Sequence, residues 1–174
     1  RIHTHLAEVR EEKVMARLQW GRSTVEQAAH TGMLDVPVVA GHGIWLSRSE
    51  RHLLARQGVA IVHNPQANMI LGSGICNLPA LFEAGLTVAL GTDGAASNDS
   101  QNLIEVAKLA SLLQKVHHAS PEVITAREVY RMATLQGARA LGMETVTGSL
   151  EPGKAADLVA FSRHSPGTAI VHDP

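Results

Sequence analysis

One pattern limits what this chain can fold into more than any other: four short apolar runs, each separated from the next by a helical stretch. The runs are "RIHTHL" (1–6), "VPVVAGH" (36–42), "VAIVH" (59–63) and "TVALGTD" (87–93). The stretches between them carry explicit helix signals. "EVREEKVMARLQ" is helical in pattern, and "STVEQAAH" opens on a capping box, Ser23 with Glu26. "SRSERHLLARQG" opens on a second box, Ser47 with Glu50, and stops at Gly58. A polar loop follows the third run, and "NLPALFEAG" then forms a short helix ending at Gly85. Further helices are expected over 101–116 and, after the Thr125–Glu128 box, over 126–141. Strand–helix alternation with short connections implies an α/β fold with a parallel sheet.

Parallel sheets, open or closed into a barrel, carry their chemistry at the C-terminal ends of the strands. Here those ends are His5, His42, His63 and Asp93. A lone histidine in such a place is more often a core residue, but four polar ends in register point to one shared site. Imidazole and carboxylate together suit zinc or iron, and a bound divalent metal lowers the pKa of its water towards ~7. Asp93 suits both a metal-holding base and the cap of the next helix. Glu8, three residues past His5, fits a proton-transfer group beside the metal and equally a first-turn carboxylate favoured by the helix dipole. His3 shares the strand face of His5 by period two and is read as structural.

Composition trims the alternatives. A net charge of −1 over 174 residues favours neither nucleic acid nor an anionic membrane. No stretch is long and apolar enough to span a bilayer. The lone cysteine, Cys76, excludes a disulfide framework and fits a reducing cytoplasm. Neither "LGSG" nor "GTDG" matches a P-loop or a dinucleotide fingerprint.

The segments "HTHLAE", "GHGIWLS", "HNPQANMILGSG", "GTDGAASND" and "GSLEPGKAADLVAF", in this order, resemble the amidohydrolase superfamily, and most of all its deaminases and chlorohydrolases. The resemblance implies a (β/α)8 barrel with one divalent metal, zinc or iron. It implies His5 and Asp93 as metal ligands, Asp93 also as base, Glu8 as the proton shuttle to the substrate ring, and His42 beside the metal-bound water. By the same resemblance His63 and Asn64 shape the pocket, and Ser97 and Asn98 orient the site. Ala67 stands where relatives often carry serine, and "SNDSQNLIE" departs near the substrate, so Asp99 and Gln101 either alter the pocket rim or cap the next helix.

The family takes two more ligands from an H-x-H element on its first barrel strand, and none precedes Arg1. Residues 1–146 are therefore expected to form about strands 5–8 of the barrel, and 147–174 to return into an incomplete β-sandwich. The N-terminal half of the barrel is expected from the same polypeptide or a docked partner. The resemblance also allows a homo-oligomer. The expected function is hydrolytic deamination of a small amino-substituted heterocycle, a purine nucleoside thioether. The alternatives are dechlorination or aminohydrolysis of triazine, guanine-type or pyrimidine rings, and a non-catalytic α/β binding module.

Overall fold

The structure, a computed structural model, describes residues 1–162. Its centre is a four-stranded parallel sheet of β1 (Ile2–Leu6), β2 (Val38–His42), β3 (Ala60–His63) and β4 (Thr87–Leu90), hydrogen-bonded in sequence order. Ala40, Ile61 and Val88 are paired across the sheet, and residues at one register position share a face. The opposite face carries His5, Gly41, Val62 and Ala89 in one row.

The helices explain why the first face is apolar. Between β1 and β2 lie α1 (Arg10–Trp20), α2 (Thr24–His30) and a 3-10 turn at Met33–Asp35. Then come α3 (Arg48–Arg56), α4 (Pro65–Ile70) and α5 (Leu78–Glu83), followed after β4 by α6 (Ala95–Asn98), α7 (Leu103–His117), α8 (Ala126–Ala133) and α9 (Leu135–Ala140). Strands that advance one place at a time, with crossovers of one hand, put their helices on one side. The main core follows that rule. Ala40, Ile61 and Val88 pack there with Val25, Leu54, Leu81, Val106 and Met132. Full burial of a residue such as Ile61 or Leu54 contributes roughly 2 kcal/mol. On the other face, among the described residues, a small cluster forms in which Ala140 of α9 meets Ala60, Ala89 and Val62. His3 and His5 stay exposed there.

All three capping boxes form as the sequence predicts: Ser23, Ser47 and Thr125 each accept from the backbone N–H three residues on, and the glutamate there reaches back. Three expectations shift. The loop after β3 contains α4, because Pro65 at the first helical position pre-sets φ and needs no donor. The helix expected over 126–141 breaks at Thr134 (φ −125°, ψ −96°), whose hydroxyl donates to the Tyr130 carbonyl and competes with the backbone. The fourth strand ends at Leu90, before the left-handed Asp93 (φ 63°).

In residues 147–162 the chain makes turns and no strand. Thr147 donates to Asp157 at 2.8 Å, and the Ala155 N–H donates to the Val146 carbonyl at 2.8 Å. The rest of the expected sandwich return, 163–174, lies outside the described residues. A groove of about 1300 Å³ runs between α7, α8, α9 and this segment, lined by residues such as Leu103, Tyr130, Leu141 and Phe161. None of the residues at the strand ends lines it. No helix of the described residues is long and apolar enough to cross a membrane.

Candidate functional site

The C-terminal ends of β1 and β2 and the loop after β4 bring His5, His42 and Asp93 together. One donor atom from each lies within 4.8 Å of the other two. His5 Nε2 stands 3.4 Å from Asp93 Oδ1, and His42 Nε2 stands 3.5 Å from Asp93 Oδ2. Both distances are long for hydrogen bonds between such groups. They match the separation of two donors on one tetrahedral zinc, about 3.3 to 3.6 Å for bonds of about 2.0 to 2.2 Å. The imidazole rings of His5 and His42 lie 5.1 Å apart. The donor set therefore fits a divalent cation.

Two of these residues reach the cluster through backbone that side chains seldom adopt. His42 has φ 74° and Asp93 φ 63°. Left-handed backbone at a non-glycine residue costs roughly 1–3 kcal/mol and persists where the surroundings enforce it. Around Asp93, the Gly94 N–H donates to Oδ1 at 2.8 Å and Gln101 Nε2 donates to the Asp93 carbonyl at 3.3 Å. Thr92 Oγ1 donates to Gln101 Oε1 at 3.1 Å. Gln101 thus braces the Asp93 loop, while Asn102 caps α7.

His42 is fully buried, and its Nδ1–H donates to Asn68 Oδ1 at 2.7 Å. Nε2 has no hydrogen-bond partner among the described residues and faces Asp93 and Glu8; in the neutral imidazole the Nδ1–H bond makes it the acceptor. Glu8 Oε2 lies 3.6 Å from His42 Nε2, and Oε1 accepts from Ser73 Oγ at 3.1 Å. The backbone under Glu8 is fixed by Glu12, whose carboxylate accepts the N–H groups of Ala7 and Glu8 at 2.9 and 3.0 Å. Glu12 thus ties down the entry to the first turn, and Glu8 faces the cluster.

The remaining candidates sit differently. Asn64 lies between two glycines of the face that carries His5: a Cβ on Gly91 would meet its Oδ1 at 2.5 Å, and one on Gly41 its Nδ2 at 3.6 Å. Asn64 thus fills the space those glycines leave. His63 does not join the donor set, although its strand end is in register. It is fully buried, both ring nitrogens lack hydrogen bonds among the described residues, and burial above all lowers its pKa to about 3. Ser97 donates to the Gly94 carbonyl at 3.1 Å. Asn98 is fully buried, and its Oδ1 accepts the Gln101 N–H at 3.1 Å, so its oxygen shapes the loop. Asn68 and Ser73 were not singled out by the sequence reading. The signal for them was the glycine spacing of "LGSG", which marks a helix stop that returns the chain to the site.

A profile described as the amidohydrolase family matches residues 1–172. The chain is 42% identical over 172 residues to a 5-methylthioadenosine/S-adenosylhomocysteine deaminase of Desulforudis audaxviator, covering 99% of this chain and 40% of that protein. Among solved structures, a zinc-bound adenosine deaminase from Xanthomonas campestris superposes with a TM-score of 0.92 at 35% identity, over 99% of this chain and 39% of that one. Atrazine chlorohydrolase from Arthrobacter aurescens, complexed with zinc, gives a TM-score of 0.92 at 34% identity, over 100% and 38%. The chain spans about two fifths of the length of these relatives.

Proposed function

We propose, from the premise that this chain belongs to the amidohydrolase family, that the polypeptide containing it is a metal-dependent hydrolase that deaminates an amino-substituted heterocycle. Within that reading the four strands are about the second half of a (β/α)8 barrel, with its end at residue 146 and a sandwich return beyond. Their sequential parallel order, with the main core on one face, supports this. The observation that carries the functional reading is the convergence of His5, His42 and Asp93, with Glu8 beside them.

His5 and Asp93 would hold the metal, and zinc is favoured because the two solved relatives contain it. When bound, the metal supplies Lewis-acid activation of water at neutral pH. The chain's own groups then divide the proton work. Asp93 takes a proton from the attacking water through the carboxylate oxygen not engaged as ligand. His42 Nε2, the acceptor of the neutral ring when Nδ1–H is bonded to Asn68, takes a hydrogen bond from that water and orients it. Glu8, held by Ser73, delivers a proton to a ring nitrogen, and ammonia leaves. Asn64 and Ser97 are assigned to substrate contacts. Asn98 acts through the loop it organises, and His63 fills the wall behind His42.

The substrate favoured by the named relatives is an adenosine thioether such as 5-methylthioadenosine or S-adenosylhomocysteine. The complete polypeptide, incubated with these compounds, is expected to release ammonia, and to lose that activity with a chelator and regain it with zinc. The chlorohydrolase resemblance supports a second reading, in which chloride leaves a triazine. A panel of amino- and chloro-heterocycles decides between them. Silence across all aminopurines and aminopyrimidines would refute the deaminase reading.

A further inference from the structure

His42 and Glu8 are held by two side chains from one short segment. Asn68 Oδ1 takes the His42 Nδ1–H at 2.7 Å, and Ser73 Oγ donates to Glu8 Oε1 at 3.1 Å. Both holders are nearly inaccessible, at 1% and 5% exposed. They sit five residues apart, at either end of the stop that terminates α4. The Ser73 N–H donates to the Asn68 carbonyl at 2.9 Å, and the Gly72 N–H to the Met69 carbonyl at 3.3 Å. With Gly72 left-handed at φ 66°, these are the paired bonds of a Schellman motif. Ser73 is also fixed from the far side. Trp45 Nε1 donates to its carbonyl at 2.8 Å, and the Arg10 guanidinium lies 4.5 Å from the Trp45 ring centroid. Gly74 keeps this contact close, since a Cβ there would meet Trp45 at 2.9 Å.

We infer that Asn68 and Ser73 are a linked pair of positioning residues. Asn68 sets the tautomer of His42 so that Nε2 is the free lone pair. Ser73 sets the side chain of Glu8 so that Oε2 faces His42. The Schellman turn fixes the spacing between the two holders, so neither proton-handling group drifts relative to the other. This assignment rests on the deaminase reading for its catalytic consequence but not for its geometry. A neutral imidazole whose Nδ1–H is committed accepts at Nε2. A carboxylate with one oxygen committed to a hydroxyl presents the other. Partners of this kind are worth about 10- to 100-fold in activity in metal enzymes.

The test uses the complete polypeptide and four variants, Asn68→Leu, Asn68→Asp, Ser73→Ala and Ser73→Thr, each first checked for a native circular dichroism spectrum. Nitrogen-15 NMR of the histidine rings, recorded where free imidazole is neutral, reads the tautomer directly. Wild type and Asn68→Asp are expected to show His42 with a protonated Nδ1 and a bare Nε2, and Asn68→Leu a mixture. In ammonia release, Ser73→Ala is expected to lose about tenfold or more in kcat with little change in KM, and Ser73→Thr to recover most of it. An unchanged His42 tautomer in a folded Asn68→Leu protein overturns the Asn68 half. Wild-type kcat in a folded Ser73→Ala protein overturns the Ser73 half. If wild type releases no ammonia at all, the proposed reaction fails, while the NMR result still decides the assignment of Asn68. Carboxylate exchange of Glu8 against Ser73→Ala, read from its carbon-13 shift, then decides Ser73.

Discussion

Replacing Glu50 by glutamine tests whether the electrostatics that brace the site's supporting loops are as the structure describes them. Glu50 is 5% exposed at the start of α3, directly after the loop that leaves His42. Burial by itself pushes its carboxyl pKa up. The hydroxyls of Ser23 and Ser47, the Ser47 N–H and the Lys13 ammonium outweigh that and hold it at about 2, against 4.5 for the free group. Lys13 Nζ lies 3.0 Å from Oε2, so the carboxylate ties α1 to α3. A folded-state pKa below the unfolded one contributes stability above the unfolded value and loses it as pH falls. The shift of about 2.5 units corresponds to about 3 kcal/mol at pH 7 and about 1.4 kcal/mol at pH 3. Glutamine keeps the shape and one acceptor but not the charge, so Glu50→Gln is expected to cost about 2 to 3 kcal/mol at pH 7. Urea unfolding of wild type and variant, followed by circular dichroism, measures the difference. A loss below about 0.5 kcal/mol at pH 7, or a loss that does not shrink between pH 7 and pH 3, would refute the reasoning.

His63, held at about 3 against 6.5 chiefly by burial, is neutral in the fold. As pH drops from 6.5 towards 3 the unfolded chain takes a proton that the folded chain refuses. Stability therefore falls by up to about 1.4 kcal/mol per pH unit, and His63→Phe should flatten that slope in pH-dependent unfolding. Gly91→Ala places a Cβ 2.5 Å from Asn64 Oδ1 and 2.6 Å from Val62. It should cost about 1–3 kcal/mol in melting experiments and lower substrate affinity by displacing Asn64. Burial raises the pKa of the Cys76 thiol to about 12 despite Arg51. An aromatic disulfide reagent should leave it untouched in the native protein and titrate it once urea unfolds the chain; rapid native labelling would show the packing around it to be wrong.

The sequence made the strand ends readable because their residues break apolar runs with groups that packing alone does not call for. His5, His42 and Asp93 were found this way, and the structure brings them together. His63, at a strand end too, stays outside that donor group. Strand register says where a side chain leaves the backbone, but the left-handed turns at His42 and Asp93 re-aim those two towards the cluster, and nothing in the apolar pattern announces such turns. The capping boxes were legible because both partners lie three residues apart. The helix α4 was not, since Asn64 makes no side-chain cap and its start depends on Pro65. Asn68 and Ser73 stayed hidden for a related reason: their partners, His42 and Glu8, are 26 and 65 residues away.

The account stands on a single cation bound by His5 and Asp93. X-ray diffraction from crystals of the complete polypeptide, collected on both sides of the zinc absorption edge, tests it most directly. The expected result is one anomalous peak within ligand distance of His5 Nε2 and an Asp93 carboxylate oxygen, with His42 Nε2 beside it. A peak held by other residues, or no peak in crystals of catalytically active protein, would contradict it.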